Sequence, residues 1–123
     1  METRALILVV DDSEDNRTVF RLCLEDAGYR LDEAVDGLDA LAHIERERPA
    51  LVVMDLSMPV LDGWETTRRI KANPETRGIP VLVISGHGEG ESVARANEAG
   101  ADDIAVKPCT PGDLVAKVRG LLT

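Results

Sequence analysis

Leu51-Val52-Val53-Met54-Asp55 places four apolar side chains in a row and runs them directly into a carboxylate. A strand with one wet face alternates apolar and polar residues. A short unbroken apolar run instead fits a strand covered on both sides, as in a parallel sheet between two layers of helices. The same pattern recurs along the chain. Leu6 to Val10 (LILVV) leads into Asp11 and Asp12, Val81 to Ser85 (VLVIS) ends on a hydroxyl, and the brief run Ile104 to Val106 leads into Lys107-Pro108. Tyr29 to Val35 reads as the second strand in chain order, and its more polar composition suggests a sheet edge.

Helical signals fill the gaps. Ser13 is placed to cap a helix whose first turn holds Glu14 and Asp15, favourable charges at a positive helix end. Val19 with Cys23, and Phe20 with Leu24 and Ala27, then follow at helical spacing until Gly28 stops the run. Asp36 is a second cap, with Leu38, Leu41 and Ile44 expected to face inward and Pro49 ending the stretch. Trp64 to Ala72 reads as helix, closed by Asn73-Pro74. Gly86, Gly88 and Gly90 form a loop before the Ala-rich segment Glu91 to Ala99, a helix with little apolar mass. The last helix has Thr110 at its cap, Pro111 at the first position and Asp113 three residues after the cap, with Leu114, Val118 and Leu121 behind them. Five strand–helix pairs with short connections predict an α/β fold, a doubly wound parallel sheet with helices on both faces. Residues 1–123 read as one domain, without linker, repeat or low-complexity segment.

Composition narrows the function. The 123 residues include 14 Lys plus Arg and 23 Asp plus Glu, a net charge of −9, with 44% apolar and 30% charged residues. A chain of this length buries roughly two-thirds of the surface it exposes when unfolded, enough for a core without disulfides or structural metal. The acidic balance argues against direct nucleic-acid binding or an anionic membrane as partner. A single Trp, Tyr and Phe supply no aromatic stacking platform. Cys23 and Cys109 have no metal spacing and read as reduced thiols. The apolar start is too short for a membrane span and breaks into paired aspartates, so a cytoplasmic location is expected.

Open parallel sheets bind ligands beyond the carboxyl ends of their strands. Those ends carry Asp11 and Asp12, Asp55, Ser85 and Lys107. Three convergent carboxylates repel one another unless a cation joins them, and a hard divalent ion with oxygen ligands suits them. Carboxylate, metal, hydroxyl and ammonium around one point are what a transferring phosphoryl group requires.

VVDDSEDNR, VVMDLSMPVLDG, VISG and AVKP occur in order at successive strand ends. Over essentially its whole length the chain resembles the receiver domain of two-component response regulators, particularly stand-alone members of the chemotaxis and cell-cycle kinds. The resemblance implies strand order 2-1-3-4-5, the flavodoxin-like order. It implies Asp55 as phosphoacceptor, and Mg²⁺ held by Asp12, Asp55 and the backbone carbonyl of Ser57, with Asp11 acting through water and Mn²⁺ able to substitute. Lys107 would pair with a phosphoryl oxygen, with a cis bond to Pro108 positioning it. Ser85 would donate its hydroxyl to another oxygen, beside a small Gly86, while Met58, Pro59 and Gly63 would shape the loop. The donor would be a histidine kinase or a histidine phosphotransfer protein. The chain would catalyse only its own phosphorylation and dephosphorylation, and so would not be an enzyme acting on outside substrates. An unknown downstream protein would read the face made by the segment Glu91 to Ala99, the strand at Ile104 and the last helix.

Two positions depart from the family. Ile104 stands where a switch aromatic is common, and Cys109 where Phe is frequent, so an aromatic rotamer switch is not expected. An Asp after a strand is commonly only a helix cap, but the helix after Asp55 begins several residues later. Asp62 reads as a turn residue, GHGEG as a loop rather than a phosphate cradle, and His43 and His87 as surface groups. Two other classes compete. A haloacid-dehalogenase-like phosphatase also uses Asp, Ser and Lys, but places its nucleophile in a DxD after the first strand, where this chain has Asp11-Asp12-Ser13. A flavodoxin-like module would need a Ser/Thr-rich phosphate loop in the place the acids occupy.

Overall fold

The computed structural model describes residues 4–55, 63–85, 98–106 and 110–122. The strands are β1 (Leu6–Val10), β2 (Arg30–Ala34), β3 (Leu51–Asp55), β4 (Val81–Ser85) and β5 (Asp103–Val106). They form one sheet of order β2-β1-β3-β4-β5, with every pair parallel. The expected fold and strand order are both present. The polar strand β2 is indeed an edge, and its side chains are only partly buried until Ala34.

Four helices are described in full: α1 (Glu14–Asp26), α2 (Gly37–Arg46), α3 (Gly63–Ala72) and α4 (Pro111–Leu122). Of the helix expected over 91–99, only residues 98–99 are described, and both are helical. The apolar strands divide their side chains between two cores, because successive residues point to opposite faces. Leu8, Val10, Val52, Met54, Val81 and Val83 pack with Ala40 and Ile44 of α2 and Trp64 and Ile70 of α3. Ile7, Val9, Leu51, Val53, Leu82 and Ile84 pack with Leu24 of α1 and Leu114 and Val118 of α4.

The cap signals are realised in detail. Ser13 Oγ accepts from the Asn16 N–H at 3.2 Å, Asp36 Oδ1 from the Asp39 N–H at 2.8 Å, and Thr110 Oγ1 from the Asp113 N–H at 3.1 Å. Each satisfies an amide that the helix leaves without an internal partner. Gly28 ends α1 with φ of 99°, in the left-handed region that suits glycine.

One inward assignment, that of Leu38, is corrected. Val19 is 52% exposed and Leu38 is 53% exposed. On α1 the buried stripe runs through Phe20 and Leu24, and Val19 falls outside it. On α2 the small Ala40 is buried with Ile44, and Leu41 packs beside them, which leaves Leu38 outside the packed stripe. Periodicity located both helices but misplaced Leu38 on the second. Among the described residues, no helix is long and apolar enough to cross a membrane. Cys23 is a partly buried free thiol, as expected, while Cys109 lies outside the described residues.

Candidate functional site

Sheet register brings the acids together. Val10 is level with Met54 across the β1–β3 pair, so one further step places Asp11 beside Asp55 at the carboxyl edge. Asp12 follows on the same loop. Asp11, Asp12 and Asp55 each offer a carboxylate oxygen, and the three oxygens lie within 4.8 Å of one another. Asp11 and Asp55 are buried and Asp12 is exposed, so the cluster is open to solvent on one side.

Asp11 is tied on several sides. Its N–H donates to the Ala34 carbonyl at 3.1 Å, continuing the β1–β2 ladder past the end of the strand. Its Oδ1 accepts from the Ser13 N–H at 2.9 Å, and its own carbonyl accepts from Arg17 Nη1 at 2.7 Å. One residue thus closes the strand, turns the chain into α1 and directs a carboxylate into the cluster. Asp55 is itself the last residue of β3, level with Ile84 of β4.

The donor set suits a small hard cation. Octahedral Mg²⁺ with oxygens at about 2.0–2.1 Å holds neighbouring ligands about 2.9 Å apart and opposite ones about 4.2 Å apart. Carboxylate oxygens already within 4.8 Å need only small side-chain adjustments, or an intervening water, to share such an ion. Among the described residues this is the one group of three or more acidic, His or Cys side chains so placed.

Other expected site residues are placed less completely. Ser85 ends β4, level with Val106 of β5; the Ser85 side chain lies outside the described residues. Ser57, Met58, Pro59, Asp62, Gly86, His87, Lys107 and Pro108 also lie outside them. Gly63 is the buried first residue of α3. Ile104 is partly buried and packs on the core between the sheet and the α2–α3 layer. His43 is a correction. Its side chain is only 15% exposed, with Nδ1 2.8 Å from Asp32 Oδ2 and Nε2 3.4 Å from Asp39 Oδ1, so it bridges β2 and α2 and is not a free surface group.

A model of the response regulator receiver domain matches residues 7–119. The chain belongs to this family. The transcriptional regulatory protein ResD of Bacillus subtilis is 38% identical over 116 residues, covering 94% of this chain but 47% of that protein. This receiver domain therefore spans about half the length of the curated regulators it matches. Among solved structures, Vibrio cholerae chemotaxis protein CheY4 superimposes with a TM-score of 0.93 at 30% identity, covering 98% of this chain and 100% of that one. The receiver domain of the Pseudomonas aeruginosa sensor histidine kinase PA1611, solved with a magnesium ion in its active-site cleft, gives 0.89 at 30% identity and 98% coverage of each chain. Receiver domains of two-component systems take phosphoryl groups from histidine kinases and bind Mg²⁺ in an acidic pocket.

Sequence reasoning passed over Arg17. Its helical position, one turn after the Ser13 cap, points it toward β2 only once β1 and β2 are known to be neighbours. The usable signal was the pair Arg17 and Arg21, spaced by one turn, with Glu33 as their shared acid on the edge strand.

Proposed function

We propose that this receiver domain is a phosphorylation-activated switch that accepts a phosphoryl group on Asp55. The convergence of the Asp11, Asp12 and Asp55 oxygens within 4.8 Å carries this reading. Asp55 is buried at the end of β3 with its backbone in the sheet, and the phosphodonor approaches it there. A carboxylate oxygen of Asp55 attacks the phosphorus of a phosphohistidine. The new O–P bond forms as the P–N bond breaks, and the electron pair stays on the imidazole nitrogen. Water later attacks the acyl phosphate and releases inorganic phosphate, restoring the carboxylate.

Asp12 and Asp55, with the Ser57 carbonyl, would hold Mg²⁺ or Mn²⁺ directly, and Asp11 through water. A bound divalent ion offsets the repulsion among the three carboxylates and neutralises charge on the phosphoryl oxygens. Lys107 and the Ser85 hydroxyl take the remaining oxygens of the product. Phosphorylation adds negative charge at this corner and shifts a two-state equilibrium, with Gly86, Ile104 and Pro108 at the coupling positions. Ile104 supports coupling by packing rather than by an aromatic rotamer. The readout face is β5, α4 and the segment over 91–99, recognised by a downstream protein in the cytoplasm. The chain has no turnover on outside substrates.

The test is incubation of the chain with acetyl phosphate and Mg²⁺, followed by intact mass. One phosphoryl adduct, absent in Asp55→Asn and in EDTA, is expected. Repeated turnover of a phosphomonoester with no adduct would instead favour a phosphatase and refute the switch.

A further inference from the structure

Arg17 joins the acidic corner to the edge strand. Its side chain is only 13% exposed, and its guanidinium divides its donors between two acceptors. Nε pairs with Glu33 Oε1 at 3.2 Å, while Nη1 donates to the Asp11 backbone carbonyl at 2.7 Å. Glu33 is in turn held through its other oxygen by Arg21 Nη1 at 3.0 Å. The planar fork of arginine makes these two bonds interdependent: with Nε fixed by Glu33, the direction of Nη1 follows.

The bonded carbonyl belongs to the peptide that joins Asp11 to Asp12. Asp11 is already held through its N–H by Ala34 and through its side chain by Ser13. The bond from Arg17 fixes the remaining freedom, the orientation of that peptide plane, and so the direction in which exposed Asp12 leaves the backbone. Asp12 itself has no hydrogen bond of this kind among the described contacts. The peptide plane therefore sets the direction of its Cα–Cβ bond, from which the carboxylate reaches the cluster.

We propose that Arg17, set by Glu33, is a positioning residue for divalent-cation binding, holding the Asp11–Asp12 peptide so that both carboxylates face Asp55. This rests on the acidic cluster being the cation site proposed above. Groups that orient metal ligands from behind are commonly worth about 10–100-fold in metal affinity. Because Glu33 neutralises Arg17, loss of Arg17 acts mainly through geometry. Loss of Glu33 leaves the guanidinium free to turn away from the carbonyl.

The experiment is calorimetric titration of the full chain with MgCl₂ at constant ionic strength. The variants are Arg17→Met, Arg17→Lys, Glu33→Gln, Arg21→Met and Asp12→Asn, each with its stability measured in urea. Arg17→Met is expected to raise the Mg²⁺ dissociation constant about tenfold, with Glu33→Gln and Arg17→Lys showing smaller increases. Arg21→Met removes a partner of the same glutamate without touching Asp11, and is expected to stay within about twofold of wild type. Phosphorylation of Arg17→Met by acetyl phosphate is expected to need more Mg²⁺ but to approach the wild-type rate at saturation. Wild-type Mg²⁺ affinity in Arg17→Met, with binding lost in Asp12→Asn, overturns this inference and leaves the cation site standing. If Arg17→Met does not fold, wild-type affinity in both Arg17→Lys and Glu33→Gln overturns it equally. Absence of saturable Mg²⁺ binding by the wild-type chain overturns the cation site and the inference together.

Discussion

Replacing Asp12 with Asn is expected to stabilise the metal-free chain and to destabilise it relative to wild type once Mg²⁺ is saturating. Asp12 lies within 4.8 Å of the carboxylate oxygens of both Asp11 and Asp55. Asp11 is its neighbour in the chain, so their repulsion persists in the unfolded state and largely cancels. The Asp12–Asp55 repulsion exists only in the folded protein. At 4.8 Å, two unit charges repel by about 0.9 kcal/mol in a water-like dielectric and about 3.5 kcal/mol at an effective dielectric near 20. Asp55 is buried but Asp12 is exposed, which sets the expected gain at about 1–2 kcal/mol. With a urea slope of about 2 kcal/mol/M, the midpoint in EDTA rises by about 0.5–1 M. A ligand at 100 times its dissociation constant stabilises the folded state by about 2.7 kcal/mol. Wild type gains this from Mg²⁺, whereas Asp12→Asn has lost a ligand and gains less. The order of stability therefore inverts. Urea unfolding followed by fluorescence of the buried Trp64, in EDTA and in Mg²⁺ at matched ionic strength, reads both arms. A variant no more stable than wild type in EDTA, or stabilised equally by Mg²⁺, would refute the electrostatic account of the cluster.

Three further outcomes test the scaffold. Asp102 Oδ2 accepts from the Val81 N–H at 2.8 Å and from Lys71 Nζ at 2.7 Å; Asp102→Ala is expected to cost about 1–3 kcal/mol and to speed hydrogen exchange at Val81. Gly100 has φ of 91°, and a Cβ there would come within 3.1 Å of Lys71 Cγ, so Gly100→Ala is expected to lower the thermal midpoint without changing Mg²⁺ affinity. Leu114 is 1% exposed between α4 and the sheet, and Leu114→Ala is expected to cost about 2–5 kcal/mol in urea unfolding.

Much was legible in the chain because parallel sheets leave a plain record. Runs such as LILVV and LVVM are apolar throughout because both faces are covered, so each such strand announced itself and its functional end. The caps at Ser13, Asp36 and Thr110 were equally readable, since a cap is a local bond between residues two or three apart. The outer edge of each helical stripe was not. Val19 and Leu38 carry apolar side chains at helical spacings, yet both remain exposed, because partners on other elements decide which residues of each helix are covered. His43 was misread for a related reason, because its carboxylate partner Asp32 lies on a different element.

By itself the sequence determined the α/β class, the strand ends and the residue types gathered there, because these depend on local pattern and on which side chains follow each apolar run. The tertiary structure alone decided that Asp55 sits level with Asp11, since register depends on hydrogen bonding between β1 and β3 across forty residues of chain. It also decided that Arg17 reaches the Asp11 carbonyl while Glu33 holds it. That contact needs α1 to lie over the edge strand β2, and no spacing within one element encodes which strand lies beside which helix.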